Sequence, residues 1–470
     1  MDELAFPLNA DPGTDVAGVP DADTIYGWIA TVFGRGVRRP GYPADEWAEQ
    51  WCAERFRELG LERVRLEPVE VPRWEPTAWS LDVVAADGVG ARVPCFPLPH
   101  AAPTEGLELE LAAWDSANPS AVVGRAALYD VTLLRVPADT FLAGGSAPSD
   151  LTGRAIDPDG TLARDHVLPF GIEIQAVMEP AIEAGAAAFV GVLAGYPGDS
   201  CEYYVPYDGV ERSIPGVWLS GSDGARLHAL LASGPVRARL TVASERRTVT
   251  THNVVGELAG ADDDVVMIGS HHDGPWASAV EDGSGIALVL AQAAFWAAQP
   301  PPARPHRLVF VLQGGHMVGG AGLRSFIETH RDELARVVLE LHLEHAALEA
   351  DDDSAAPTGV PVPRWWFTSR NPALEAAVAG ALAAEGLHRS MVLAPDAIGV
   401  HPPTDGGLYH LEGVPIVDFL AAPHYLFDAM DTLDKIDRAH LVPLTRAAAR
   451  IVASTRGVSA GAMRAGIVTP

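Results

Sequence analysis

An α/β fold is predicted for this chain: a mostly parallel central sheet flanked by helices, with a β-rich unit inserted towards its front. Three observations predict it. From Asn253 onward, short apolar runs that read as strands alternate with helical stretches, the pattern of a parallel sheet covered on both faces. Between about Pro97 and Ala243 the texture changes to shorter β-like runs separated by loops carrying charge, Gly or Pro. At 470 residues the chain exceeds one ordinary domain, and its 48% of apolar residues can fill more than one core. The division that follows is a discontinuous α/β domain, residues 1–95 and 246–470, interrupted by an inserted domain at 96–245.

Each element has its own signal. Residues 21–33 read as a helix, followed by the loop RGVRRPGYP. A second helix over 44–59 places Trp47, Trp51, Phe56 and Leu59 on one stripe and ends at Gly60. VRLEPVEVP alternates as a strand does. In the insert, LELELAAW, GRAALYDV and VRARLTV read as strands around a helix, AVMEPAIEAGAAAFVGV. After it come strands NVVGELAG, DVVMIGSHHD, HRLVFVLQGGH, VVLELHLEH and VPIVDFL, with helices SGIALVLAQAAFWAAQ, 321–329 and NPALEAAVAGALAAEG between them. Trp365-Trp366-Phe367 reads as a core strand and Asp351–Asp353 as a solvated loop.

Composition excludes several classes. A net charge of −29 opposes binding to phosphate backbones and to anionic membrane surfaces. No run reaches the roughly 20 apolar residues that a membrane span needs, and MDELAFPLNADPG lacks the basic start and apolar stretch of a signal peptide. Cys52, Cys95 and Cys201 are too scattered for a CxxC zinc pattern or a disulfide framework. A cytoplasmic protein acting on a small molecule or peptide is the expectation. Its oligomeric state is not legible.

Chemistry collects where the strands end. In order these ends carry Ser270-His271-His272-Asp273, then Gly314-Gly315-His316-Met317, then His342-Leu343-Glu344-His345, and Pro423-His424-Tyr425 follows the last strand. Glu281-Asp282 precedes a helix start, and Asp405 sits in PPTDGG. A single histidine at a strand end is more often structural. Several at one sheet edge, where α/β sites form, point to a metal or polar centre. Imidazole and carboxylate suit zinc, with manganese and iron(II) also compatible.

The series NVVGELAG, VVMIGSHHDG, EDGSGIALVL, LVFVLQGGHMVGGAG, LHLEH and DTLDKID resembles the zinc aminopeptidase superfamily. Bacterial leucyl aminopeptidase, glutamate carboxypeptidase and glutaminyl cyclase belong to it. The order GRAALYDV, AIEAGAAAFVGV, IPGVWLSGSDGARLHALL in turn resembles a protease-associated domain, a substrate-access module without chemistry of its own. The resemblance implies a zinc-peptidase-like α/β fold and carries over unevenly. His271 matches the metal ligand of the H-x-D motif, Asp273 the acid that orients it, and Glu281 the acid that bridges two metals. Asp282 matches the residue after the bridge, and Glu344 the carboxylate ligand of the first metal. The Glu-Glu pair that supplies a general base and a ligand of the second metal is replaced by His316-Met317, and the last histidine ligand falls on Phe427.

The expected centre is therefore a single divalent ion held by His271, Glu281 and Glu344. His316 stands over it as general base or fourth ligand, and Asp273 supports it. His272, Asp282, His345, His424 and Asp405 are secondary candidates, with His345 alternating off the Glu344 face in a regular strand. The function implied is a metal-dependent, aminopeptidase-like hydrolase of an amide or peptide bond. A non-hydrolytic cyclase or lyase on the same scaffold, and a catalytically degenerate binding protein, stay open.

Overall fold

The protein is described by a computed structural model covering residues 15–144, 153–169 and 174–468; the stretch MDELAFPLNADPG lies outside them. Its central sheet is built on four parallel neighbours, in the order Arg307–Gln313, Val265–His271, Val337–Leu343 and Ile416–Ala421. Arg364–Thr368 joins antiparallel to the last of these, and Ser390–Leu393 runs parallel beside it. The apolar runs are continuous because both faces are covered. Val266 and Ile268 enter one core cluster with Ile286, Leu290 and Leu444, while Val265 and Met267 enter another with Leu323, Phe326 and Tyr409. Trp365 and Trp366 are fully buried, and Trp366 stacks on Phe419 at 4.7 Å, so this reads as the core strand expected.

The helices Ala22–Phe33 and Pro43–Glu58 lie where the pattern put them. The Asp21 carboxylate caps the first, accepting from the Thr24 amide at 2.8 Å. No helix among the described residues is long and apolar enough to cross a membrane.

The insert has its own cluster, in which Leu111, Leu128, Val190, Val217 and Leu227 pack together. Two expectations change here. The run expected as one helix over 176–192 is a short helix, Glu179–Glu183, then a strand, Ala188–Leu193. A short apolar run buried on all sides carries no periodicity to separate strand from helix, and Gly185 at φ 82° stops the helix. The boundary at 245/246 falls inside a continuous strand, Arg237–Leu258, paired along its length with Glu62–Val84. This strand bonds the insert's Thr104–Ala113 with one half and Arg307–Gln313 with the other. The polar run SERRTVTT looked like a break because that part of the ribbon is largely exposed. Arg154–Ile156 also adds an edge strand beside Ser390–Leu393, so the insert is not joined at its two ends alone.

A histidine marks this junction. His166 on the insert is buried and donates from Nε2 to the Ala422 carbonyl at 2.9 Å. Burial lowers its pKa from 6.5 to about 4. A histidine depressed in the folded state contributes full stability above the unfolded value and loses it as pH falls below that value. The expected result is that the unfolding free energy of the wild type, minus that of His166→Phe, falls by on the order of 3 kcal/mol between pH 7 and pH 4. Urea titrations at each pH measure it, and a pH-independent difference would show that the ring titrates normally.

A candidate metal centre at the carboxyl edge of the sheet

The four parallel strands end side by side, and each end turns into a short loop. His271 is the last residue of its strand. Beyond Gln313, the glycines at 315, 319 and 320 adopt φ of 76°, 76° and 68°, left-handed values that turn the chain sharply around His316. Leu343 leads into Glu344 and His345. Glu281 arrives on the 279–284 turn before the helix Gly285–Ala297. Asp431 fixes that turn by accepting from the Val280 and Glu281 amides at 2.8 and 2.9 Å. From beneath, the buried Arg38 guanidinium donates to the carbonyls of His272, Ala277, Ser278 and Glu281.

Three imidazoles surround Glu281, each held from behind through Nδ1. His271 donates from Nδ1 to the Asp273 carbonyl at 2.9 Å, His316 to Asp405 Oδ1 at 2.8 Å, and His345 to the Ala421 carbonyl at 2.8 Å. These acceptors assign the tautomers and leave each Nε2 facing inward. His271 Nε2 lies 3.5 Å and His316 Nε2 3.8 Å from Glu281 Oε1; His345 Nε2 lies 2.5 Å from Oε2. The rings of His271 and His316 stack at 4.0 Å. The buried Nε2 atom of His271 has no hydrogen-bond partner, while His345 Nε2 and Glu281 Oε2 face each other. Buried nitrogen and oxygen donors gathered in this way fit a first-row divalent ion.

His345 enters the centre by breaking the strand's alternation. Its φ is +63°, a left-handed conformation that histidine tolerates better than most residues. The ring thereby swings off the face a regular strand would give it. Glu344 lies beside it on the same cavity wall. Its Oε1 pairs with His342 Nε2 at 3.0 Å, and its Oε2 is 4.0 Å from His345 Nε2. His342 Nδ1 meets Glu340 Oε1 at 3.0 Å, so this buried ring lies between two carboxylates, which against burial raise its pKa above the ordinary value.

The remaining expectations divide. Asp273 does not orient His271 through its carboxylate, which is 3.8 Å from Nδ1; its backbone carbonyl does that. The carboxylate instead accepts from the His316 and Met317 amides at 3.0 and 2.8 Å, because the sharp turn leaves both pointing at it. Asp405, read as a turn acid with a candidate role, is the residue that anchors His316. Asp282 accepts from the Gly285 amide at 2.8 Å and pairs with Ser270 Oγ, holding the helix start. A Cβ at Gly285 would collide with that carboxylate, which explains the Gly-Ser-Gly run. His272 points the opposite way, its Nδ1 3.0 Å from Asp45 Oδ1 and its Nε2 donating to the His252 carbonyl at 2.8 Å. With Glu49 these form a second buried histidine–carboxylate group. His424 packs against the rings of Tyr196 and Tyr425 and is not drawn into the centre. The roles of Arg38, Asp431, His342 and Tyr207 carry no signal in the motifs, although Asp431 opens the DTLDKID segment.

Electrostatics follows the same geometry. Burial disfavours charge on every ring. At His271 it prevails, and the pKa falls well below the ordinary value. At His316 burial is overcome, chiefly by Asp405, and the pKa rises to about 10; at His345 Glu281 overcomes it, and the pKa rises to about 9. Burial would raise the Glu344 carboxyl, yet the charged His342 ring holds it below the usual range.

The centre opens into a cavity of about 670 Å³. His316, Glu344, His345 and Asp405 line one side. Apolar side chains from the insert, Leu134, Phe141 and Leu168, line it with Leu420 on the strand Ile416–Ala421 and with Ile398 and Leu426 on loops of the main domain. Phe427 packs on Tyr207 at 4.7 Å, and Tyr207 stacks on His316 at 5.6 Å.

Fold and centre together define an α/β protein with histidine and carboxylate gathered at the carboxyl edge of the sheet. Residues 253–452 match the sequence model of Peptidase family M28. The chain is similar to leucine aminopeptidase 2 of Arthroderma otae, 31% identical over 154 residues, which are 32% of this chain and 29% of that protein. It is 35% identical to leucine aminopeptidase 2 of Trichophyton equinum over 111 residues, 23% of this chain and 21% of that protein. The matches thus span less than a third of these curated relatives. Among solved structures, the chain is similar to a peptidase M28 precursor from Shewanella amazonensis (TM-score 0.70, 20% identity, 92% of each chain). It is also similar to a zinc aminopeptidase from Bacillus subtilis (TM-score 0.64, 17% identity, 92% of this chain and 95% of that one).

Proposed function

We propose that the protein is a metal-dependent hydrolase of peptide bonds, aminopeptidase-like, that works with one divalent ion, zinc ahead of manganese or iron. The observation that carries this is the cluster of imidazole nitrogens facing the buried Glu281 carboxylate, opening onto a cavity large enough for a short peptide. His271, Glu281 and His316 offer donor atoms that lie within 4.8 Å of one another, enough to hold the ion. A zinc ion held there supplies Lewis acidity towards a peptide carbonyl and lowers the pKa of water.

The chain's own groups do the rest. Asp405 fixes His316 so that Nε2 faces the centre. Tyr207 and Phe427 cover it and exclude bulk water. Glu344, kept ionised by His342, presents negative charge on the cavity wall, suited to a substrate's ammonium terminus. The apolar wall opposite suits an apolar side chain. Residues 96–245 are read as an inserted, protease-associated-like domain that supplies part of this wall and so controls access. The unpaired Cys52, Cys95 and Cys201 support a reducing, cytoplasmic setting, and the net charge of −29 supports peptides over nucleic acids as partners.

The test is a panel of short peptides and aminoacyl amides, with free and acetylated amino termini, given to zinc-loaded protein. Turnover of the free-terminus members, lost on chelation and restored by zinc, is expected. Zinc-loaded protein that binds these compounds without cleaving them would favour the degenerate binder, and a cyclised product the non-hydrolytic enzyme.

A further inference from the structure

We infer that the ion is held by three imidazoles and one carboxylate, His271, His316, His345 and Glu281, and that Glu344 is not a ligand. The inference deepens the proposed function and rests on that reading for the presence of an ion. Four observations on this chain carry it. Both oxygens of Glu281 face imidazole nitrogens, Oε1 towards His271 and His316, Oε2 towards His345. Each of the three rings has its Nδ1 committed to a separate acceptor, so each can offer only Nε2, and each Nε2 points to the same carboxylate. His345 takes up a left-handed backbone, φ +63°, where it turns its Nε2 towards that carboxylate. Glu344, at the position where a carboxylate ligand was expected, has its Oε1 3.0 Å from His342 Nε2.

The positions where the resemblance places the second ion's own ligands hold Met317 and Phe427. Met317 is fully buried in the main core cluster, and its amide is spent on Asp273. Phe427 offers a ring packed on Tyr207. Neither a thioether nor a phenyl ring offsets the dehydration of a divalent ion. A donor set dominated by imidazole favours zinc, cobalt(II) or nickel(II) over magnesium and calcium, which want oxygen.

The experiment measures the metal itself. Full-length protein is loaded with zinc, dialysed and analysed for metal content; the cobalt(II)-loaded protein is examined by X-ray absorption to count imidazole ligands. One ion per chain and three imidazoles are expected. His345→Asn tolerates the left-handed backbone and should weaken zinc binding by more than about a hundredfold, beyond what loss of an outer-shell partner costs. His316→Gln should do likewise, whereas Glu344→Gln should keep affinity within a few-fold of wild type. Far-ultraviolet circular dichroism confirms that each variant is folded, and the imidazole count on wild-type protein stands even if one is not. Two ions per chain, fewer than three imidazoles, or a Glu344→Gln protein as metal-poor as His345→Asn would overturn the assignment. These readouts need no turnover: a three-imidazole ion in a protein that cleaves nothing sinks the hydrolase reading alone.

Discussion

Replacing Glu281 by glutamine is expected to strip the ion and to lower kcat on any cleaved peptide by at least about three decades, the scale on which an ion contributes several kcal/mol to a transition state. Glutamine has the same shape and keeps the turn, because Asp431 and Arg38 grip the backbone of this segment rather than the Glu281 side chain. The three rings also stay, each anchored by its own acceptor. What is lost is the one carboxylate that faces all three Nε2 atoms, and with it the negative charge that offsets a buried dication. The amide also turns an N–H towards at least one ring nitrogen meant for metal. Metal analysis and steady-state kinetics on the same preparation give the answer. Wild-type turnover at wild-type metal content would show that Glu281 is a spectator. Asp405→Asn gives the scale for an outer partner: it keeps His316 in place but weakens its anchor, and should cost about ten- to a hundredfold in metal affinity.

The largest effect on stability is expected at Arg38. This guanidinium is fully buried and donates to four carbonyls, of His272, Ala277, Ser278 and Glu281. It therefore closes the loop that joins His271 to Glu281. It also lies near the buried carboxylates of Asp431, Asp282, Asp273 and Asp45, whose charges oppose the fall in its pKa that burial produces. Arg38→Met fills the space with an apolar chain but leaves carbonyls without donors and carboxylates without a counter-charge. Breaking a buried charge arrangement in this way costs about 3–5 kcal/mol, and the expected loss, measured by urea unfolding of metal-free protein, is of that size. Arg38→Lys should not restore it, because one ammonium cannot spread its donors over a planar fork. A loss under about 1 kcal/mol for Arg38→Met, within the ordinary range of a single hydrogen bond, would show that water serves these carbonyls instead.

Much of the framework was legible because it depends on short-range pattern. Apolar runs at strand length between helical stretches specify a parallel sheet, and parallel strands bring their carboxyl ends to one edge whatever the loops contain. His271, His316, Glu281 and Glu344 could thus be placed near one another from their positions at strand ends and helix starts. The strand Ala188–Leu193 was misread because burial on all sides erases the periodicity that distinguishes strand from helix. The continuous strand Arg237–Leu258 was missed because its exposed middle has the composition of a linker.

The sequence by itself determined the α/β class, the order of the elements and the edge of the sheet at which histidines and acids gather, since residue type and period govern all three. Only the tertiary structure decided which of those side chains face one another. His345 joins the centre through a left-handed φ that no spacing reveals, and Glu344 meets His342, two residues before it in the chain. Asp405 and Arg38 reach the site from 89 and 243 residues away in the chain, in contact with His316 and Glu281. The physical reason is that the direction of a side chain and the charge of its neighbours are set by packing across the fold, and local sequence carries neither.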